Sequence, residues 1–575
     1  MRKLLPIILL MATTNVARSQ SCNCDITLSN LSATSLNLIW ASQVSYSPGD
    51  VICIPGGTYR GLRFYDFEGT ETDPVIVKNC NGQVIIDESH YSGIDFQRSE
   101  HMQLTGTGDT AHDYGFKIID TGGGSAGVNI QNMSTDFEID HVEIAHAGFA
   151  GIMAKTDPQC NRPETWRVNG FIMKNLDIHD NYIHNTGGEG LYIGYTKGYK
   201  LDNGRNCSGT YRYGHWLENV DVHHNILEDI GWDAIQLSLV RTAGKIHDNY
   251  IYNYGTDNKY YQDFAMGFSG GTYEVYNNIS INGPQLYGNG YQMINGQSGT
   301  KIYNNVIVRP QLHGIFAHAR HEFEDTSEGY YIANNTIIEP EKAGVHYNVK
   351  IIYPIDPADK YKKQDDVPSY FVNNLVVDPG YDFEGGNTWK QNQESYFDFN
   401  DRSTRDSLLT NIYSNIMTRE MDTLGLTDIP NDDYSPSSVS SSVVDQGADI
   451  SSWGITIDLE NLARPSGLSF DIGAYEYLQS TSLQGFLPDE PELWDVAAID
   501  SNEMKVYPNP TSSVVWIDGG AGDYTIQLFS VAGTLVYKGI QKSGEPLKVH
   551  EYAPGLYFLK VTGEKRSESY PILIK

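Results

Sequence analysis

Two acids stand at matching places in this chain. Glu189 opens "EGLYIG" and Asp233 opens "DAIQLS", each just before a small residue and a short alternating run. Paired carboxyl groups are what glycoside hydrolysis needs. One gives its proton to the leaving oxygen, and the other attacks the sugar or activates water. Asp263 lies one residue out of register before "FAMGFS" and is a third acid of the set. His313 of "HGIFAH" shares the column of Glu189 and is a candidate general base. Acids before Gly also satisfy turn amides, and that plain reading stands beside the catalytic one.

Other groups surround these positions. Lys155, Lys197, Arg241, Arg320 and Lys350 fall at or shortly after the ends of the same runs. As a set they suit sulfate or carboxylate groups on a ligand, whereas solvated loop charge explains any one of them. Tyr192, Tyr195, Trp232, Tyr261 and Phe316 offer ring faces to sugar C–H faces, and alternation puts Tyr347 inside. Gln236, His318 and His346 point outward by the same alternation. His179 and His247 read as corner residues of a repeat. The histidine spacings fit no specific metal site, and no cofactor is implied. A Ca²⁺ held by Asp or Asn side chains stays open.

The elements that position these residues repeat along the chain. "LDIHDNYIHNTGGEGLYIG" recurs as "VDVHHNILEDIGWDAIQLS" and "GKIHDNYIYNYG", then in shorter forms. The repeats align Asn181, Asn225, Asn249, Asn278, Asn305, Asn335 and Asn374. Each unit reads as short alternating strands around an Asn corner. This resembles a right-handed parallel β-helix, an all-β fold whose equivalent strands stack about 4.8 Å apart. The Asn column then forms a ladder, a structural role. A second column follows, with Ile152, Leu191, Ile235, Met266, Ile315 and Val345 facing inward. Glu189 and Asp233 become neighbours on consecutive coils.

Composition agrees. Of 575 residues only 19% are charged, and 56 are Gly, which suits a turn-rich β protein. The net charge of −32 argues against nucleic acid as a partner. Residues 1–19 read as a signal peptide, with Arg2 and Lys3 before "LLPIILLMA". Nothing later is long and apolar enough to span a membrane. Export permits disulfides: Cys160 is expected to pair with Cys207, and Cys53 with Cys80.

The stretches "PGDVICIPGGTYRGLRFYDFEG" and "LSFDIGAYEY" resemble the opening and closing segments of secreted bacterial β-helix proteins. They bound a helix domain at 24–480, followed by a linker at 481–503. Residues 504–575, with "YPNPT" and "GLYFLKV", suit a small β-sandwich. They resemble the C-terminal sorting domain of the type IX secretion system. That resemblance implies a Bacteroidetes-type bacterium, passage across the outer membrane by that machinery, and removal or surface anchoring of the domain. The helix resembles polygalacturonases in architecture alone; their Asn-Thr-Asp and Asp-Asp signatures are absent, and no residue role carries over.

The expected protein is a secreted polysaccharide-degrading enzyme. Endo-acting glycoside hydrolysis of an anionic glycan leads, with sulfated fucans, carrageenan-like galactans and pectic polymers as substrates to consider. A polysaccharide lyase is the enzymatic alternative, with Lys155, Arg241, His313 or His318 as its cation or base. A non-catalytic surface protein that binds glycan is the other.

Overall fold

The computed structural model describes residues 22–167, 170–196, 205–284, 287–294, 299–318, 329–348, 369–380, 396–399 and 409–478, together with strands between 505 and 574. The N-terminal leader at 1–19 and the linker at 481–503 lie outside the described residues.

The described strands between residues 26 and 418 form a parallel β-helix. A representative coil carries Ile172–His179, then Tyr182–Thr186, then Leu191–Ile193. Each strand pairs in parallel with its equivalent in the next coil: Leu176 with Val220, Ile183 with Leu227, and Leu191 with Ile235. The third strands make a twelve-stranded sheet of their own. The first two ladders merge into one sheet of 23 strands through Val51–Tyr59 and Val75–Asp87, which run through both. We call the three ladders the first, second and third faces.

Inward positions follow the alternation. Ile152, Leu191, Ile235, Met266, Ile315 and Val345 are all buried in the main core, as is Tyr347. Burying one such aliphatic side chain contributes about 1.5–3 kcal/mol, and every coil adds several.

The corner between the first and second faces explains the repeated Asn. Asn181 donates from Nδ2 to Asn225 Oδ1 at 3.0 Å and to two carbonyls, those of Ile139 and His179. Its backbone N–H goes to the same Asn225 oxygen at 3.2 Å. The pattern passes coil by coil to Asn374, which bonds an eighth rung, Asn415, at 3.0 Å. A buried amide satisfied at every atom is structural glue. The residue before each rung turns the corner with positive φ, as at Asp180 (52°), Asp248 (53°) and Asn277 (53°). Short polar residues tolerate that left-handed conformation best, hence the "DN" and "NN" pairs.

Cys160 and Cys207 are bonded, with Cα atoms 5.4 Å apart. The expected pairing of Cys53 with Cys80 is corrected: Cys22 joins Cys80 and Cys24 joins Cys53. Cys53 stands opposite Lys78, whereas Cys80 stands opposite Pro55. The two thiols are thus offset along adjacent strands, and the incoming segment reaches both.

Residues 421–477 fold back over the last coils. Leu424, Tyr434, Val443 and Ile472 pack against Val308, Ile338 and Val377 of the second face. Arg464, fully buried, is paired with Glu476 at 2.7 Å. In the C-terminal region a three-stranded and a four-stranded antiparallel sheet share one core, including Val515, Ile517, Ile526, Leu528 and Leu559. That is the expected sandwich.

Candidate active site

Glu189 and Asp233 occupy one column on consecutive coils. The Gly190 N–H donates to the Asp233 carbonyl at 3.0 Å, and Leu191 stands opposite Ile235. Gly190 is small because a Cβ there would lie 2.5 Å from the Ala234 carbonyl oxygen. The coil-to-coil spacing is about 4.8 Å. Asp263 sits on the next coil, three residues before Met266, and so occupies the turn position of Trp232.

All three acids are buried, at 0%, 3% and 0% exposure. Glu189 Oε1 accepts from Gln262 Nε2 at a long 3.4 Å, and its Oε2 has no partner among the described residues. Neither oxygen of Asp263 has one. Burial pushes the Glu189 carboxyl up to about 7, against the pull of its own backbone N–H and the Lys155 charge. Burial pushes Asp263 up to about 8. Asp233 is raised well above the usual carboxylate range by burial, with the charges of Glu189 and Asp263 adding to it. Buried carboxyls without partners are costly, and such clusters concentrate at functional sites.

Asp233 also has a structural duty. Its Oδ1 accepts the Phe264 N–H of the next coil at 3.0 Å. Other polar residues of this column do the same: Ser92 for Ala126, Asn289 for His313, and His313 for Ala343. The plain reading of turn-amide satisfaction therefore describes half of Asp233 and does not account for Glu189 Oε2 or for either Asp263 oxygen. Asp233 Oδ2 lies beside Gly267 of the next coil. A Cβ on Gly267 would lie 3.2 Å from it, so the glycine leaves a hollow beside that oxygen.

His313 is three coil steps beyond Asp233, past Phe264 and Asn289, and is not joined to the acids. Its Nδ1 accepts the Ala343 N–H at 3.2 Å, and burial drives the imidazole well below its ordinary value. Phe316 and His346 stack beside it at 5.0 Å, and His346 bonds Asp398 at 2.6 Å.

The remaining candidates divide. Tyr192 and Gln236 face outward in register, bridged by Thr196: its hydroxyl donates to the Tyr192 oxygen and accepts from Gln236 Nε2, each at 2.9 Å. Gln236 Oε1 is buried with no partner among the described residues. Trp232 meets Phe149 edge-on at 5.5 Å, and Phe149 meets Tyr192 at 6.0 Å. Lys155 lies 4.6 Å over the Tyr192 ring and pairs with Asp157 at 2.8 Å. Arg241 is not on this surface. It lies on Val240–His247 of the first face and pairs with Glu218, because the chain has already turned at Leu239 (φ 66°). His318 ends its strand in register with Ile294. Lys197, Arg320 and Lys350 lie outside the described residues.

Sequence reasoning missed three contributors. Phe149 stands three residues before Ile152, the turn position of Trp232, so the register was its one available clue. Gln262 and Lys259 come from the turn 253–263, which lies over the acids; Lys259 Nζ sits 4.7 Å from the Trp232 ring.

Groups with metal-ligand spacing among the described residues lie elsewhere. Glu138, Asp140 and His179 cluster on the first face, as do Glu100, His101 and Asp136. Gln103, Thr105 and His179 already bond to Glu138 and Asp140. Beyond His179, His223, His247, Tyr276 and Tyr303 stack ring on ring at 4.6–5.0 Å, which fits the corner reading of His179 and His247.

The molecule is thus a parallel β-helix with a buried acid cluster on its third face, carrying a small β-sandwich behind it. Residues 505–575 match the family of the secretion system C-terminal sorting domain. The protein is accordingly directed to the cell surface or beyond by the type IX secretion system, and this domain is its contact with that machinery. No curated protein matches the chain. Among the described residues, no helix is long and apolar enough to cross a membrane.

Proposed function

We propose that the β-helix is an endo-acting glycoside hydrolase for an anionic polysaccharide, with Glu189 and Asp233 as its catalytic carboxyls. The carrying observation is the burial of three carboxyl groups on adjacent coils, with Glu189 Oε2 and both Asp263 oxygens lacking partners among the described residues. A fold-stabilising role gives no reason for that arrangement.

The roles follow from the surroundings. Burial raises the Asp233 carboxyl well above its ordinary value, and charge on Glu189 or Asp263 raises it further, which favours the protonated form. Its Oδ1 is occupied by the Phe264 N–H, which leaves the proton on Oδ2 beside the Gly267 hollow. Asp233 is the general acid: it protonates the glycosidic oxygen as the bond to the anomeric carbon breaks. Glu189 is the acid nearest a cation, Lys155, and titrates near neutrality. It supplies the carboxylate, as nucleophile or as base for water. Asp263 is a positioning residue that raises the Asp233 carboxyl further as it ionises at alkaline pH. Lys155 and Lys259 are the cations at hand for an acidic sugar.

The test is incubation of the full chain with sulfated, uronic and neutral polysaccharides, following reducing ends and ultraviolet absorbance. New reducing ends without an unsaturated product, lost in Glu189→Gln and Asp233→Asn, support this reading. An unsaturated product would move the chemistry to β-elimination. Retained binding with no cleavage of any polymer would leave a glycan-binding surface protein.

A further inference from the structure

Buried polar atoms without partners among the described residues occur at several places on the helix, and two groups of them lie on the third face. Beside the acids, a second group lies on the third face nearer the N-terminus. Arg63, Asp95 and Asn129 are in register on three consecutive coils, in the outward column that continues to Tyr192 and Gln236. Asp95 is 1% and Asn129 4% exposed. Arg63 Nε and Asn129 Oδ1 are both buried with no hydrogen-bond partner among the described residues. Asn129 stands two coil steps from Tyr192, about 10 Å.

The rest of this cluster is firmly held. Gln131 Nε2 donates to both Asp95 oxygens, at 3.1 and 2.9 Å, and Gln97 Nε2 to one at 3.3 Å. Arg63 Nη1 is 3.9 Å from the same carboxyl. The Arg63 guanidinium lies 4.8 Å over the ring of Tyr91, which is 50% exposed. Tyr91 precedes Ile94 by three residues, the turn position that Phe149 and Trp232 hold beside the acids.

We propose that Tyr91, Arg63, Asp95 and Asn129 form a distal subsite for an uncharged, hydroxyl-bearing sugar unit of the chain that reaches the acids. The proposal rests on the glycan-cleaving reading above. A hydroxyl group both donates and accepts, so one sugar can meet the open Asn129 acceptor and the open Arg63 donor. Tyr91 offers an exposed ring for a C–H face. The Asp95 carboxyl between the two open atoms opposes a sulfate or carboxylate on that unit, and the nearest cation, Arg63, is already turned toward it. The substrate then has a unit free of charged substituents about three to four coils N-terminal of the cleavage point. Lys155 and Lys259 serve charged units at the acids themselves.

The probes are galactans of graded sulfation, including a fully desulfated one, together with a neutral β-glucan and a polyuronate, cast in native gels. The full chain is compared with Asn129→Leu, which keeps size and removes the open acceptor, and with the exposed-site variant Tyr91→Ala. On polymers that retard the wild type, each variant is expected to weaken retention about three- to tenfold, the scale of one hydrogen bond or stacked ring. Asp95→Asn is expected to keep retention on partly sulfated polymers and to strengthen it on the fully sulfated one. Equal retention of wild type and both variants overturns the subsite, as does failure of every polymer to hold the wild type. Retention that survives in Glu189→Gln while cleavage is lost, or is never seen, bears on the catalytic reading alone.

Discussion

Replacing Glu189 by Gln separates what this acid does to the fold from what it does to a substrate. A glutamate ordinarily titrates near 4.5, and burial holds this one near 7. The native state therefore binds more protons than the unfolded chain between those values, and stability falls as pH rises through that window. The penalty is absent below about pH 4.5 and complete above about pH 7. Its size is about 3 kcal/mol, from roughly 1.4 kcal/mol per pH unit of displacement. Gln carries no charge, and its side chain can still meet Gln262. Its added N–H group needs a partner, which takes back about 1 kcal/mol. Glu189→Gln is thus expected to be more stable than the wild type by about 1–3 kcal/mol at pH 8, and to differ little at pH 4. Urea unfolding of the two proteins at both pH values measures this, with activity lost in the variant throughout. A variant less stable at pH 8, or a difference that does not change with pH, refutes the burial argument and the strain it assigns to the site.

Other outcomes follow from the same geometry. Asp263→Asn should stabilise at alkaline pH over a wider window, from about 3.8 to about 8, read by the same unfolding series. The pH profile of kcat/KM should rise through an apparent pKa near 7 as Glu189 ionises, and Asp263→Asn should move the decline at higher pH; a flat profile across neutrality counts against the assignment. Gly267→Leu fills the hollow beside Asp233 Oδ2 and should abolish cleavage while shifting the unfolding midpoint little, since the position faces outward. Asn305→Ala should cost about 3 kcal/mol or more, because the side chain bonds Val275, Tyr303 and Asn335, and calorimetry of the full chain would show it.

The coil architecture was legible because it is periodic. The Asn rungs recur at the same place relative to each strand, and the inward aliphatic positions alternate, as Leu191, Ile235 and Met266 show. Knowing the register puts Glu189 beside Asp233 without any structure. What sequence hid was non-periodic. Arg241 left the expected surface because Leu239, neither Gly nor Asn, adopts φ 66° and turns the chain within one residue. Gln262 reaches back across two coils to Glu189 from a turn that has no counterpart in neighbouring repeats. His313 looked like a free base, yet its acceptor nitrogen is spent on a backbone N–H, which only packing reveals. The cysteine pairing depended on a short incoming segment with no repeat to align it.

The two ends of the helix govern how such a molecule behaves among copies of itself. A stacked parallel ladder offers an open row of N–H and C=O groups at each terminus, a template on which another chain can add. Here the first-face ladder tapers to Ile26–Thr27 at one end and Ile412–Tyr413 at the other, two residues each. The Cys22–Cys80 and Cys24–Cys53 bonds fasten the first taper, and the segment 421–477 lies over the last coils. Short end strands, two disulfides at one end and a packed segment at the other leave little open ladder for a second copy to extend.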